Sequence, residues 1–391
     1  MQILKPASKT ELIAHVQSAM VGKTPLEIVA GGSKRLIGRP VEAEHLLDLG
    51  GFSGVMLYEP EELVLTAGAA TPLREVETLL SEKGQQLAFE PPYYNALLGS
   101  DAEPTLGGVL AANLAGPRRF VAGAARDHLL GFHAVSGRGE EFKAGGRVVK
   151  NVTGYDLSKL ICGSWGTLCA LTEVSVKVLP RAPHSTTLIF EEASALRAVN
   201  ALSLATGSPQ EVSGAAFVPG ELRGGASVFA LRLEGVRASV EFRAHALRHL
   251  LADYGVPQSL ERDASETFWQ SLRDVEMLVE PRETAVWKVS VPPLSGANVL
   301  EAMAPARAYL DWAGGLVWLA LEPTGAAALR LRAVVAQFGG HATLIRAPQN
   351  LRAMIDVFEP PASAVTMLAK RLKENFDPER IFNPGRMYAG V

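Results

Sequence analysis

Cysteine is almost missing from this chain: Cys162 and Cys169 are the only two in 391 residues. Two thiols cannot staple a chain of this size or complete a zinc site, so the sequence suits a reducing compartment. A net positive charge is lacking too. The 38 Lys and Arg against 41 Asp and Glu leave a formal charge of −3. That gives no field for counterion release, which sets nucleic-acid binding aside. Nor does any apolar run approach the ~20 residues that span a bilayer. Met1-Gln2-Ile3-Leu4-Lys5-Pro6 is not followed by the apolar stretch of a signal peptide. A cytoplasmic protein is expected, able to sit peripherally on a membrane through a complex. What the chain does have is apolar residues (48%) and 37 glycines. At ~100–200 residues per domain, two globular units are the expectation.

The first ~180 residues alternate helical and strand patterns. Ser8-Lys9-Thr10-Glu11 has capping-box spacing, and Leu12, Val16 and Ala19 follow at i, i+4 and i+7, predicting a helix that ends near Gly22. Leu26 to Ala30 reads as a strand running into Gly31-Gly32, and further strands are expected at 45–49, 55–58 and 63–67. Thr71-Pro72 offers an N-cap and an N1 proline for a helix that Gly84 closes. The strand pattern Thr172 to Leu179 meets Pro180-Arg181-Ala182-Pro183, where paired prolines mark a domain boundary. Beyond it, strands near 186–190, 228–233 and 286–291 alternate with helices near 192–204, 238–253 and 325–338. That pattern predicts one sheet covered on one side. A final helix carrying Val365, Leu368 and Leu372 precedes a Pro-rich end.

Three glycine-rich stretches could carry chemistry. In Val29-Ala30-Gly31-Gly32-Ser33-Lys34-Arg35, a strand opens into residues whose backbone amides can approach a phosphate, with a hydroxyl and two cations beside them. Neither a Walker loop nor a dinucleotide turn has this spacing, and an ordinary glycine turn reads the same way. Pro104-Thr105-Leu106-Gly107-Gly108 running to Asn113 and Gly116 makes an apolar wall of small residues, suited to a planar ligand or to close helix packing. The third is the more specific: Gly154-Tyr155-Asp156-Leu157, then Gly163-Ser164-Trp165-Gly166-Thr167-Leu168, then Thr172-Glu173-Val174.

With that third stretch the chain resembles the flavoproteins of the vanillyl-alcohol-oxidase/p-cresol-methylhydroxylase type. The resemblance implies an α+β fold: a two-lobed FAD-binding domain (1–181), an α+β cap with an antiparallel sheet (182–345), and a C-terminal helix and return segment (346–391). It also implies FAD contacts from Ala30, Gly31, Gly32, Ser33 and Lys34, then from Thr105, Leu106, Gly107, Gly108, Asn113, Gly116 and Asp127. Further contacts are implied from Gly154, Tyr155, Asp156, Leu157, Gly163, Ser164, Gly166, Thr167, Leu168 and Val174, and from Asn383 in the return segment. Family members that tether flavin use a His near the diphosphate loop or a Cys lining the ring. This loop has no His and neither cysteine falls in a tethering position, so non-covalent FAD is expected. Arg386, by position alone, is a candidate to stabilise negative charge on the flavin.

Glu90-Pro91-Pro92-Tyr93, Leu114-Ala115-Gly116-Pro117-Arg118-Arg119, Gly339-Gly340-His341-Ala342-Thr343 and Phe382-Asn383-Pro384-Gly385-Arg386-Met387-Tyr388 are most similar to FAD-binding subunits of bacterial glycolate oxidases. That likeness implies oxidation of glycolate to glyoxylate within a complex, alongside a larger FAD-containing subunit and an iron–sulfur subunit. Relatives that oxidise a 2-hydroxy acid unaided usually carry a histidine-rich cap motif containing Gly-Glu-His. Late in this chain the cap offers only His341, and Glu44-His45 lies in the other lobe, so no catalytic residue is assigned. A self-sufficient FAD oxidoreductase and a flavin-free scaffold remain the rival readings.

Other features are read as structural. His245 and His249, with Glu241, share metal-pair spacing but flank the apolar stripe of Val240, Ala244, Leu247 and Leu251, as a solvated face would. No metal site is expected. The cysteines read as small buried hydrophobes and the five tryptophans as core or interface.

Overall fold

The computed structural model describes residues 1–147 and 155–390. Three strands, β1 (Gln2–Leu4), β2 (Leu26–Val29) and β3 (His45–Asp48), form a parallel sheet ordered β1-β3-β2. Helix α1 (Lys9–Gly22) covers it with Leu12, Val16 and Ala19 buried. Ser8 caps that helix by accepting from the Glu11 amide, while the Glu11 carboxylate accepts from the Ala7 amide at 2.8 Å.

An antiparallel sheet follows, built from β4 (Val55–Glu59), β5 (Val64–Gly68), β7 (Leu129–Ser136), β8 (Glu141–Gly145) and β9 (Cys169–Lys177), in the order β4-β5-β9-β7-β8. The short β6 (Gln85–Gln86) pairs with β10 (Leu179–Pro180) outside it. Helices α2 (Leu73–Glu82) and α3 (Leu106–Ala111) pack between this sheet and the rest of the chain. Thr71 does not cap α2. Pro72 holds the cap position, and the buried Thr71 hydroxyl instead donates to the Gly68 carbonyl at 2.7 Å and accepts from the Gly54 amide. The Leu73 amide donates to the Pro104 carbonyl at 2.8 Å instead, and the Thr71 hydroxyl ties down the preceding turn.

The remaining eight strands form one antiparallel sheet. They are β11 (His184–Glu191), β12 (Gly214–Val218), β13 (Val228–Gly235), β14 (Gln258–Leu260), β15 (Ala285–Ser290), β16 (Arg307–Asp311), β17 (Leu316–Leu321) and β18 (His341–Arg346), ordered β14-β11-β13-β12-β16-β17-β15-β18. Because side chains alternate across a strand, one face carries Phe217, Leu231, Trp287, Val289, Leu319 and Leu344. Helices α4 (Ala195–Thr206), α5 (Arg237–Leu250) and α7 (Gly325–Gln337) bury that face. The opposite face does not stay bare, as the one-sided reading expects. Val218, Ala230, Val286, Tyr309, Trp318 and Ala320 pack against Tyr94, Leu97 and Leu106 of the first lobe and against α6 (Arg262–Arg273). His245 and His249 lie exposed on α5 with their Nε2 atoms 3.1 Å apart, beside the buried Val240, Ala244 and Leu247.

Four buried charges cross the seam between the lobes. Glu90 accepts from the Arg118 amide at 2.6 Å and from Arg232 Nη1 at 2.8 Å. Glu234 accepts from Arg118 Nη2 at 2.7 Å and from the Ser213 hydroxyl. The Arg232 guanidinium also lies 4.8 Å from the Trp269 ring centre. Helix α8 (Ser363–Phe376) then leads back toward the first lobe. Its apolar residues Val365 and Leu368 are exposed, and the one residue it buries is Lys373. Past it, Phe382 pairs with Leu26 of β2.

Burial raises the Glu234 carboxyl, but Arg232 and Arg118 outweigh that and hold it down at about 2. A depressed carboxylate contributes stability above its unfolded value that is lost as pH falls through its folded one. Unfolding titrations should therefore show stability dropping between about pH 4.5 and 2. Arg232→Met, which leaves Glu90 and Glu234 to share Arg118 alone, should cost about 3–5 kcal/mol at neutral pH by urea denaturation.

Candidate functional site

A cleft opens between the parallel and antiparallel sheets of the first lobe. One wall is the loop leaving β2, from Ala30 to Arg35. Gly31 is required by packing, since a Cβ there would sit 1.7 Å from the Glu103 carbonyl oxygen. Gly32 holds a φ of +83°, which side-chain-bearing residues rarely adopt. The buried Ser33 hydroxyl lies 3.0 Å from the Lys34 ammonium. Burial pushes that ammonium down to about 8, opposed by Asp274 and Glu103, and no carboxylate among the described residues pairs with it.

Thr105 caps α3 by accepting from the Gly108 amide, which lays Gly107, Gly108 and Ala111 along the cavity. Ala69, Ala70, Ala112, Cys169 and Leu171 complete an apolar floor. Trp165, Gly166, Asn383 and Arg386 form the far end. Asn383 accepts from the Ile28 amide at 2.8 Å and donates to the Trp165 carbonyl at 2.9 Å, while Arg386 donates to the Lys34 carbonyl at 2.7 Å. The return segment thus joins both glycine motifs through backbone contacts.

Of the residues singled out from sequence, Ala30, Gly31, Gly32, Ser33, Lys34, Thr105, Gly107, Gly108, Gly166 and Asn383 line the cavity together. The others stand behind or beside it. Leu106, Leu168 and Val174 are core. Asn113 accepts from the Arg126 amide and lies against Gly163. The Gly116 carbonyl accepts from the Trp312 indole at 3.0 Å, and Asp127 accepts from the Ala124 amide. The Thr167 hydroxyl donates to the Ser164 carbonyl. Asp156 caps the one-turn helix Leu157–Ile161, and Tyr155 is 94% exposed. Gly154 lies outside the described residues.

Sequence reasoning missed Ala69, Ala70 and Leu171, which carry no chemistry of their own and show no signal before folding. Trp165 could have been found, since it sits inside the Gly-Ser-x-Gly-Thr-Leu motif and takes a left-handed φ of 55° there.

These residues fit FAD. A wall of glycine and alanine admits a planar ring, and an unpaired buried ammonium beside a hydroxyl suits a diphosphate. Ser164 Oγ is buried with no partner of its own.

Comparison with known proteins agrees. A family model described as FAD binding domain matches residues 2–145. Glycolate oxidase subunit GlcE of Escherichia coli (strain K12) is 36% identical over 378 residues, 97% of each chain. The chain belongs to the family of FAD-linked oxidoreductases that includes this glycolate oxidase subunit. Members match over differing extents. The D-lactate dehydrogenase of Archaeoglobus fulgidus is 29% identical over 187 residues, 48% of this chain and 40% of that one. Among solved structures, p-cresol methylhydroxylase with substrate bound superposes with a TM-score of 0.72 at 15% identity, covering 98% of this chain and 88% of that one. Alkyldihydroxyacetonephosphate synthase gives 0.70 at 18% identity, covering 98% and 75%. Those likenesses show the fold.

The family's diphosphate loop yields two predictions. Lys34→Met should weaken FAD about 10–100-fold, the worth of one charge-assisted hydrogen bond. Because a bound diphosphate raises the Lys34 value from about 8, FAD affinity should be flat below that pH and fall as pH rises past it. Lys34→Arg should flatten the profile, and fluorescence titration from neutral to alkaline pH reads both. In the second, Gly32→Val should give a folded chain without flavin; a full complement of FAD in that variant would remove the cofactor from this loop.

Proposed function

We propose that this chain is the FAD-binding subunit of a multisubunit oxidoreductase that oxidises glycolate to glyoxylate and passes the electrons to an acceptor other than oxygen. The observation that carries the reading is the end-to-end likeness to a glycolate oxidase subunit, over 97% of both chains, with an anion-ready cavity at its centre. FAD, when bound, supplies acceptance of the hydride or electrons from the substrate's CH–OH carbon. Lys34 and Ser33 would hold its diphosphate, the Gly107–Ala112 wall would orient its ring, and the cap sheet would exclude water.

The flavin is held without a covalent bond in this proposal. Cys169 lines the cavity, but burial pushes its thiol well above the usual range, leaving it protonated and a poor nucleophile. The partners are a larger FAD-containing subunit and an iron–sulfur subunit, in the cytoplasm or peripherally at the membrane. Among the described residues no helix is long and apolar enough to cross a membrane.

Oxidising a 2-hydroxy acid also requires a base for the hydroxyl proton. The cap's Gly339-to-Thr343 segment supplies only His341, which lies exposed at the start of β18 with no carboxylate in ion-pair contact among the described residues to orient it as a base. We therefore place turnover in the complex. The second reading, a self-sufficient enzyme, is favoured by one observation: two cations, Lys288 and Arg119, lie under the cap.

Anaerobic mixing of the isolated, FAD-loaded chain with excess glycolate should leave the flavin band unbleached, and adding copurified partner subunits should bleach it. Rapid bleaching without partners would put the self-sufficient enzyme first. Acid precipitation should release all flavin to the supernatant, and colour retained in the pellet would overturn the non-covalent assignment.

A further inference from the structure

The lobe-facing side of the cap sheet should be apolar, yet it carries a lysine. Lys288 on β15 stands opposite Trp318 of β17 and Thr343 of β18, both on the face turned to the flavin lobe. Its half-buried ammonium lies 5.1 Å from the ring centre of Trp312. The Arg119 guanidinium lies 4.6 Å from the same ring. That indole is itself fixed, since its Nε1 donates to the Gly116 carbonyl at 3.0 Å. Two cations thus lie against the same indole ring, next to the small-residue wall that ends at Gly116.

Neither cation makes a side-chain hydrogen bond or ion pair among the described residues, whereas Arg118, Arg232 and Arg273 nearby are all matched to carboxylates. Attraction to the indole offsets only part of the cost of half-burying the Lys288 ammonium beside the like charge of the more exposed Arg119. The groups facing Lys288 are Arg119, Asp311 at the end of β16, and His341 on β18. Asp311 is a weak counter-charge: burial pushes its carboxyl up to about 7, and it already accepts from the Trp312 amide at 2.7 Å. The arrangement lacks an anion.

We propose that Lys288 and Arg119, set about the indole of Trp312, form a subsite for a small carboxylate beneath the cap sheet. A carboxylate is planar and presents two oxygens, enough to meet an ammonium and a guanidinium at once. The diphosphate is accounted for elsewhere, at Lys34. The anion requirement stands on these residues alone; the choice of a 2-hydroxy acid or its 2-oxo product as occupant rests on the proposed function.

Oxalate, a planar carboxylate that cannot undergo the CH–OH oxidation, is the probe. Calorimetry on the full chain, both FAD-loaded and stripped of flavin, should show one saturable oxalate site. Lys288→Met and Arg119→Gln should each weaken it at least tenfold, while Lys288→Arg should retain it. Burial and then Arg119 lower the Lys288 ammonium to about 8. Wild-type affinity should therefore fall as pH rises through that value, and Lys288→Arg should not follow. Lys288→Met removes an unpaired charge, so its melting temperature should match or exceed wild type, separating lost binding from lost fold. Unchanged oxalate affinity in both charge-removing variants overturns the subsite, as does equally tight binding of neutral glycolamide. Flavin content, measured by acid release, keeps the two proposals apart. A chain that takes up FAD but ignores oxalate defeats the subsite alone, and one that binds oxalate but takes up no FAD defeats the flavoprotein reading alone.

Discussion

One buried ammonium holds the first lobe closed. Lys373 Nζ donates to the Thr167 carbonyl at 2.7 Å, to Asp377 Oδ2 at 2.7 Å and to the Phe382 carbonyl at 3.0 Å. The same carboxylate accepts from the amides of Ile381 and Phe382. Three distant pieces of chain therefore meet at one ion pair: the Gly163-to-Leu168 turn, the end of α8 and the returning strand. Asn383 and Arg386 depend on that pair for their places at the cavity's far end. A buried pair stabilises only when its remaining valences are filled, and here they are.

The molecule's buried charges fall into two kinds. At the seam, Glu90, Arg118, Arg232 and Glu234 satisfy one another across the lobes. Around the cavity and under the cap, the buried Lys34 and the half-buried Lys288 lack a carboxylate partner among the described residues. The first kind fixes how the cap sits over the flavin lobe. The second costs folding energy that only an incoming anion returns, and such groups cluster where ligands bind.

Local chemistry was legible in the sequence. The Ser8 cap and the strand running into Gly31-Gly32 depend on neighbours a few residues away. What escaped the sequence depends on distant partners. The apolar stripe of α8 marks a face but cannot say whether anything covers it, and Val365 and Leu368 stay exposed while Lys373 is buried. The sheet's second cover comes from residues such as Tyr94 and Leu97, far off in the chain. Trp312 meets Gly116 across 196 residues, so no spacing pattern could reveal the cations gathered there.

The pairing of Leu26 with Phe382 joins the first sheet of the chain to almost its last segment. Domains usually fold as units while the ribosome is still extending the chain. This one cannot finish in that order. Until residues 381–386 have left the exit tunnel, β2 lacks its neighbour, Lys34 lacks the brace from Arg386, and the cap has already been made. The far end of the cavity, built by Asn383 and Arg386, is therefore completed only after the cap has been translated.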